Sequence, residues 1–323
     1  MTPAARDISI DAIRDAARFV YASAIRTPLV RVEVPGAPEG LELYLKLEVL
    51  QPIGSFKIRG AANVMRQLTP SELANGVWTV SAGNAALGVA YAARQAAVPC
   101  SVMVMDTAPA AKVDAIDRLG ASIVRVTYDE AWQTVERHAS DRMQGYFIHP
   151  FDDDRFIAGN ATAALEILED LPDVDAIVGA VGGGGLLSGV VSTVRALRPQ
   201  TKVYAGEPET AAPLDASLRA GRPVYFDNWR ASFVDGAGGK SVLETMWPLL
   251  RQVTGSIVVT LDETARAIRV VAERSHVIAE GAGGCAVAAA LGGRAGVGKV
   301  VAIVSGGNID LSRFFEIIQS SSH

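Results

Sequence analysis

The sequence predicts an α/β protein with open, mostly parallel sheets and helices on both faces. Three observations predict it. Short apolar runs alternate with helix-periodic segments through almost the whole chain. Those runs are apolar on both faces, as strands are in a parallel sheet covered on each side. Glycine supplies 31 of the 323 residues and aromatic residues only 6%, which suits close helix–sheet approach and backbone that must come near a ligand.

The strand candidates, in order, are Leu41–Leu47, Val77–Ser81, Ser101–Met105, Ser122–Val126, Ala176–Val181, Lys202–Gly206, Ser256–Leu261 and Val300–Ser305. Helix-periodic segments lie between them at Ala85–Ala96, Lys112–Leu119, Arg155–Leu168, Leu186–Leu197 and Glu263–Arg274. Val77, Ser101 and Ser122 begin a closely spaced β-α series, which reads as a compact lobe ending near Gly145. The stretch from His149 to Phe156 then returns the chain to another lobe. The expected division is a smaller, mobile lobe over 53–146 and a larger one over 1–52 plus 147–323.

Composition excludes several classes. A net charge of −5 without a basic stripe argues against nucleic acid. The N-terminus lacks a secretory pattern, and the longest apolar runs are interrupted well before membrane-spanning length. Cys100 and Cys285 read as reduced thiols of a cytoplasmic protein. The four histidines, His138, His149, His276 and His323, show no metal-ligand spacing.

Ligands of open α/β sheets bind at the carboxyl ends of strands. There the run Val181-Gly182-Gly183-Gly184-Gly185-Leu186 closes a strand and opens a helix. Such a loop frees backbone N–H groups to converge on an anion, and the helix start adds its positive dipole end. A phosphate is the natural guest, and a plain flexible turn is the bland alternative. A dinucleotide fingerprint fails, because Leu187 or Ser188 stands where its third glycine belongs. Gly239-Lys240-Ser241 ends like a P-loop, but Val234 occupies the required glycine position.

A second signal is Lys57, set at the start of a helix within Ser55-Phe56-Lys57-Ile58-Arg59-Gly60-Ala61. A helix N-terminus disfavours a cation, so a partly desolvated lysine there has a lowered pKa and a nucleophilic neutral amine. Alone it reads as a surface lysine. With the phosphate loop it points to a phosphate-bearing aldehyde cofactor.

Four motifs then stand in order: SFKIRGA at 55–61, SAGN at 81–84, GGGGL at 182–186 and SGGN at 305–308, with Glu280 in an EGAGG stretch. In these the chain resembles the fold-type II pyridoxal-phosphate enzymes of the serine/threonine dehydratase and serine racemase family, over nearly its whole length. The resemblance implies a two-lobed architecture like that of the tryptophan synthase β subunit, pyridoxal 5′-phosphate as cofactor, and a homodimer. It implies that Lys57 holds the cofactor as a Schiff base, with Phe56 against its ring and Asn84 on its phenolic oxygen. Gly182, Gly183, Gly184, Gly185 and Leu186 would hold the phosphate, and Ser305 would face the pyridine nitrogen. Gly236 and Glu280 join the cofactor set. Ser81, Ala82, Gly83, Asn84 and Ala85 would receive the substrate and its carboxylate. The implied reaction removes water and ammonia from a β-hydroxy amino acid, Lys57 taking the α-proton and the cofactor acting as electron sink. The chain leaves no room for the regulatory domain of biosynthetic threonine dehydratases, so isoleucine feedback is not expected.

Three departures refine the expectation. Racemases of the family carry a serine at the position of Ala82, and alanine cannot move a proton, so racemisation should be weak. Ala85 and Leu87 replace a histidine and a glutamine of the common motif. That reads either as helix repacking or as a roomier, less polar pocket, which brings 3-phenylserine in beside threonine and serine. Hydroxyaspartate is less favoured, with Arg59 and Lys240 the cations left to consider. Finally, Glu207 stands where the divalent-metal branch has its first carboxylate, but Pro213 replaces the second. That speaks against Mg²⁺ or Ca²⁺ and leaves a monovalent cation, or a helix-capping or ion-pair role, for Glu207. The competing readings are racemisation or β-replacement on the same fold, and a non-catalytic ligand-binding relative.

Overall fold

The computed structural model describes residues 6–108 and 110–320. The strands are β1 Leu29–Val32, β2 Leu41–Leu47, β3 Val77–Val80, β4 Cys100–Met105, β5 Ser122–Val126, β6 Tyr146–Phe147, β7 Ala176–Ala180, β8 Lys202–Pro208, β9 Gly255–Val259 and β10 Gly298–Val304. They form a six-stranded sheet in the order β1-β2-β10-β7-β8-β9 and a four-stranded sheet in the order β5-β4-β3-β6. Every neighbouring pair is parallel except β1 with β2. The α/β class and the mostly parallel sheets therefore stand as the sequence predicted.

Strand β10 occupies the middle of the larger sheet, running parallel to β2 on one side and β7 on the other. Its inner residues Val300 to Val304 are fully buried, which explains their continuous apolar run. Helices cover both faces. On one side Asp154–Asp170 packs along Gly185–Leu197, with Ile157, Ala161 and Val190 in the shared core. On the other, Gly281–Leu291 lies against β7, β8 and β10 with Cys285, Ala286 and Ala289 buried.

The differences from expectation are local. Ser81, Val181 and Ser305 leave their strands and enter loops. The edge strands β1 and β6 were not foreseen; they have four and two residues, too few for a period to register. The helix Gly281–Leu291 escaped notice because it is apolar all round, as a wholly buried helix must be. Cys100 and Cys285 are free and buried. Among the described residues no helix is long and apolar enough to cross a membrane.

One buried ionic cluster braces the helix Lys57–Met65. The Arg59 guanidinium, fully buried, grips Glu48 at 2.8 Å through Nε and Nη2. It grips Glu166 at 2.6 and 3.0 Å through Nη1 and Nη2. Lys46 Nζ joins Glu166 at 2.6 Å. Burial works to raise the Glu166 carboxyl, but Arg59 and Lys46 hold it below the ordinary carboxylate range. Arg59 is thus fully occupied, and no free cation is left there for a substrate.

Candidate active site

Four loops leave the carboxyl ends of β2, β3, β7 and β10 and meet around one cavity of about 620 Å³. Its wall holds Phe56, Lys57, Ser81 to Ala85, Gly182 to Leu186, Gly236, Glu280 and Ser305. These are all the cofactor- and substrate-site candidates read from sequence; Glu207 lies elsewhere.

Two backbone bonds fix the lysine loop to the end of β10. Phe56 N–H donates to Ser305 O at 3.0 Å, and Gly307 N–H to Gly54 O at 2.9 Å. Lys57 opens its helix, and no side chain caps that N-terminus. Its Nζ donates to Pro150 O at 2.7 Å and sits 5.3 Å from the ring centroids of both Phe56 and Phe156. Burial pushes the Lys57 amine down to about 8, against the opposing pull of Glu280.

The glycine loop makes the cradle. Ser188 N–H closes the first turn onto Gly184 O at 2.9 Å, so Gly185, Leu186 and Leu187 precede the ladder and their N–H groups have no intrahelical partner. Gly184 adopts φ +91°, which favours glycine. A Cβ at Gly183 would stand 2.2 Å from the Phe151 ring, so a side chain there would close the cradle.

The polar groups between are held in place. Asn84 Nδ2 donates to Glu280 Oε1 at 2.6 Å, and its Oδ1 accepts from Asn308 Nδ2 at 2.7 Å. One Nδ2 proton remains for a ligand, since a primary amide has two. Burial, with Asp235 adding, pushes the Glu280 carboxyl up to about 7, while the Asn84 hydrogen bond pulls it back. The Ser305 residue is buried and presents a neutral hydroxyl rather than an acid. The helix Asn84–Gln95 has no side-chain cap, and its first internal bond is Leu87 N–H to Gly83 O at 3.2 Å. The N–H groups of Asn84, Ala85 and Ala86 thus form a receptacle for a carboxylate.

A lysine of lowered pKa, a phosphate-sized cradle and a part-aromatic wall between them fit pyridoxal 5′-phosphate. When bound, that cofactor supplies an aldehyde for the amine and an electron sink for the substrate's α-carbon.

Several neighbours were not read from sequence. Pro150 and Phe151 enter from the segment after β6; the 149–156 stretch had read only as a returning loop. Asn308 belonged to the SGGN motif without a role. Lys112 pairs with Asp235 across the cavity mouth. His138, His149 and Asp152 bring one ligand-type atom each within 4.8 Å of one another, although their spacing gave no such signal. A metal has no purchase on His149: its Nδ1 accepts the Asp152 N–H at 2.7 Å and its Nε2 lies 3.2 Å from Val135 O. Burial and then His138 push His149 down to about 4, so it stays neutral.

Glu207 is fully buried and acts as a helix cap. It accepts from Leu214 N–H at 2.8 Å, Asp215 N–H at 2.7 Å and Ser256 Oγ at 2.5 Å. Burial still pushes its carboxyl up to about 7, against those three donors.

The family model for pyridoxal-phosphate-dependent enzymes matches residues 21–306. The L-threonine ammonia-lyase of Thermotoga maritima is 39% identical over 96% of this chain and 78% of its own. Human serine racemase is 37% identical over 88% of this chain and 87% of its own. The solved structure of maize serine racemase superposes with a TM-score of 0.87 at 31% identity, covering 98% of both chains.

Proposed function

We propose that this chain, which belongs to the family of pyridoxal-phosphate-dependent enzymes, eliminates water from a β-hydroxy-α-amino acid and that water then hydrolyses the released enamine, so that the net products are a 2-keto acid and ammonia. Threonine, serine and 3-phenylserine are the candidate substrates. In this reading the N–H groups of Asn84, Ala85 and Ala86 orient the substrate carboxylate. Freed Lys57 Nζ takes the α-proton and returns a proton to the departing hydroxyl. The smaller lobe, 53–146, carries the Ser81–Asn84 loop onto the substrate and excludes water as it closes on the larger. The reading keeps the protein among cytoplasmic homodimers.

The observation that carries the reading is the pairing of Lys57 with Ala82 in one cavity. Lys57 is an amine whose pKa burial lowers to about 8, and the other lysine of that wall, Lys112, is engaged by Asp235. Ala82 has no proton to give or take. Elimination needs one side-chain base at the α-carbon, whereas inversion needs a second on the opposite face. The likeness to serine racemases makes racemisation the second reading. Incubation with each L-β-hydroxy amino acid distinguishes them. Keto acid and ammonia should appear in equal amounts while the remaining substrate keeps its configuration. D-isomer forming faster than keto acid would sink the elimination reading.

Ser305 adds a second expectation. A neutral hydroxyl holds a proton on a pyridine nitrogen less firmly than a carboxylate, which favours prompt loss of the β-hydroxyl over lingering charge at the α-carbon. The Ser305→Asp variant should therefore transaminate in a severalfold larger fraction of turnovers. Product ratios by chromatography check this, and an unchanged ratio would remove the role assigned to Ser305.

A further inference from the structure

A second chamber of about 270 Å³ opens from the active-site cavity. The two share ten lining residues, among them Ser81, Ala82, Phe151, Gly182 and Gly236. The chamber therefore begins where the substrate loop and the glycine loop come together, and it leads away from Lys57.

Its wall is mostly apolar and partly aromatic. Met105, Ala131, Trp132, Val135, Phe151 and Leu243 contribute from both sheets' flanks. The Trp132 indole N–H is directed to Glu136 Oε1 at 2.8 Å, so that ring offers no donor inward. The two ionic side chains at the wall are both engaged. Asp235 pairs with Lys112. Lys240 Nζ lies between the rings of Tyr128 and Trp229, 4.4 and 4.6 Å from their centroids. A second carboxylate, as in hydroxyaspartate, would find no cation in this wall but Lys240, already held by two aromatic rings, and would give up its hydration in a mostly apolar chamber. A hydrogen or methyl substituent would leave nearly all of the apolar space empty.

Ala85 and Leu87, the apolar replacements noted in the sequence, line the active-site cavity itself; the additional chamber is built by other residues.

We propose that the chamber receives an aryl group on the β-carbon of the substrate, making 3-arylserines the preferred substrates. The volume supports this: an apolar cavity of roughly 150 Å³ holds benzene, and 270 Å³ takes a phenyl ring with room for its link to the β-carbon. Aromatic walls and the Met105 thioether suit a ring edge or face. The proposal rests on the dehydratase reading, and two measurements separate them.

The first is kcat/KM for keto-acid release from serine, threonine and 3-phenylserine with the holoenzyme. The second is the affinity of L-phenylalanine against L-alanine, neither of which has a hydroxyl to lose, by calorimetry on the same protein. We expect 3-phenylserine to exceed threonine by at least about tenfold, and L-phenylalanine to bind tighter than L-alanine by a similar factor. Filling the chamber by Ala131→Phe should reduce the phenylserine-to-threonine ratio about 10- to 100-fold. The smaller Ala131→Leu gives the same direction should the larger ring prevent folding. Threonine turned over as well as phenylserine, with no preference for L-phenylalanine, would overturn the proposal and leave the dehydratase reading standing. Tight L-phenylalanine binding without keto acid from any substrate would support the chamber and overturn the dehydratase reading. An unchanged ratio in both Ala131 variants would overturn the placement of the aryl group.

Discussion

Replacing Lys57 with alanine is expected to lower keto-acid release by about 10⁴-fold or more while leaving the fold intact. The size of the loss follows from the two tasks assigned to one nitrogen: attachment to the cofactor's aldehyde and removal of the α-proton. Both need the neutral amine. At pH 7 an amine of pKa 10.5 is neutral in under roughly one molecule in a thousand, whereas one at about 8 is neutral in about a tenth. Burial makes that difference, and the uncapped helix start at Lys57 acts in the same direction. The fold should survive because the ammonium makes one polar contact, to Pro150 O, whose loss is small against a whole domain. Variant protein should purify without the yellow colour of covalently held cofactor and unfold near the parent's temperature. Activity within tenfold of the parent would remove Lys57 from the mechanism.

The second large effect is structural. Arg59→Leu should destabilise the protein by about 3–5 kcal/mol, measured by urea unfolding of the cofactor-free form. Removing Arg59 deletes four hydrogen bonds to carboxylate oxygens and leaves Glu48 and Glu166 buried with Lys46 as their cation. An uncompensated buried charge, rather than the lost bonds alone, sets the magnitude. The Arg59→Leu/Glu48→Gln double variant restores charge balance, since Lys46 and Glu166 remain paired, and should recover at least half of the loss. Equal instability of the single and double variants would show that packing around the substituted side chain dominates instead.

What the sequence made legible and what it hid divide along physical lines. The lysine at a helix start and the glycines between strand and helix are local features, each contained within a few residues, and the cavity brings them together. The long strands were legible because burial on both faces writes itself as an uninterrupted apolar run. The short edge strands were not, and neither was the helix Gly281–Leu291, which has no polar face to set a period. Glu207 shows the limit of a pattern: a carboxylate after a strand was consistent with holding a cation or a helix end, and its contacts are those of a helix cap. The second chamber was invisible for another reason. Met105, Trp132, Phe151 and Leu243 come from four separated segments, and an ordinary core methionine or tryptophan has the same local sequence as one that faces a ligand.

Strand β10 has a consequence for how the chain is made. It lies between β2 and β7 in space but follows them both by more than a hundred residues in sequence. During synthesis, β1–β2 and β7–β8–β9 can form only as two unjoined ribbons, each with an edge that has no partner. The ribbons fuse when residues 298–304 emerge and slide between them, bringing Ser305 to the lysine loop in the same event. Joining contacts so distant in sequence is slow, and the bare edges are open to other chains until it happens. Birth of the catalytic centre and closure of the sheet are thus one late step, and an interrupted nascent chain would emerge both inactive and adhesive.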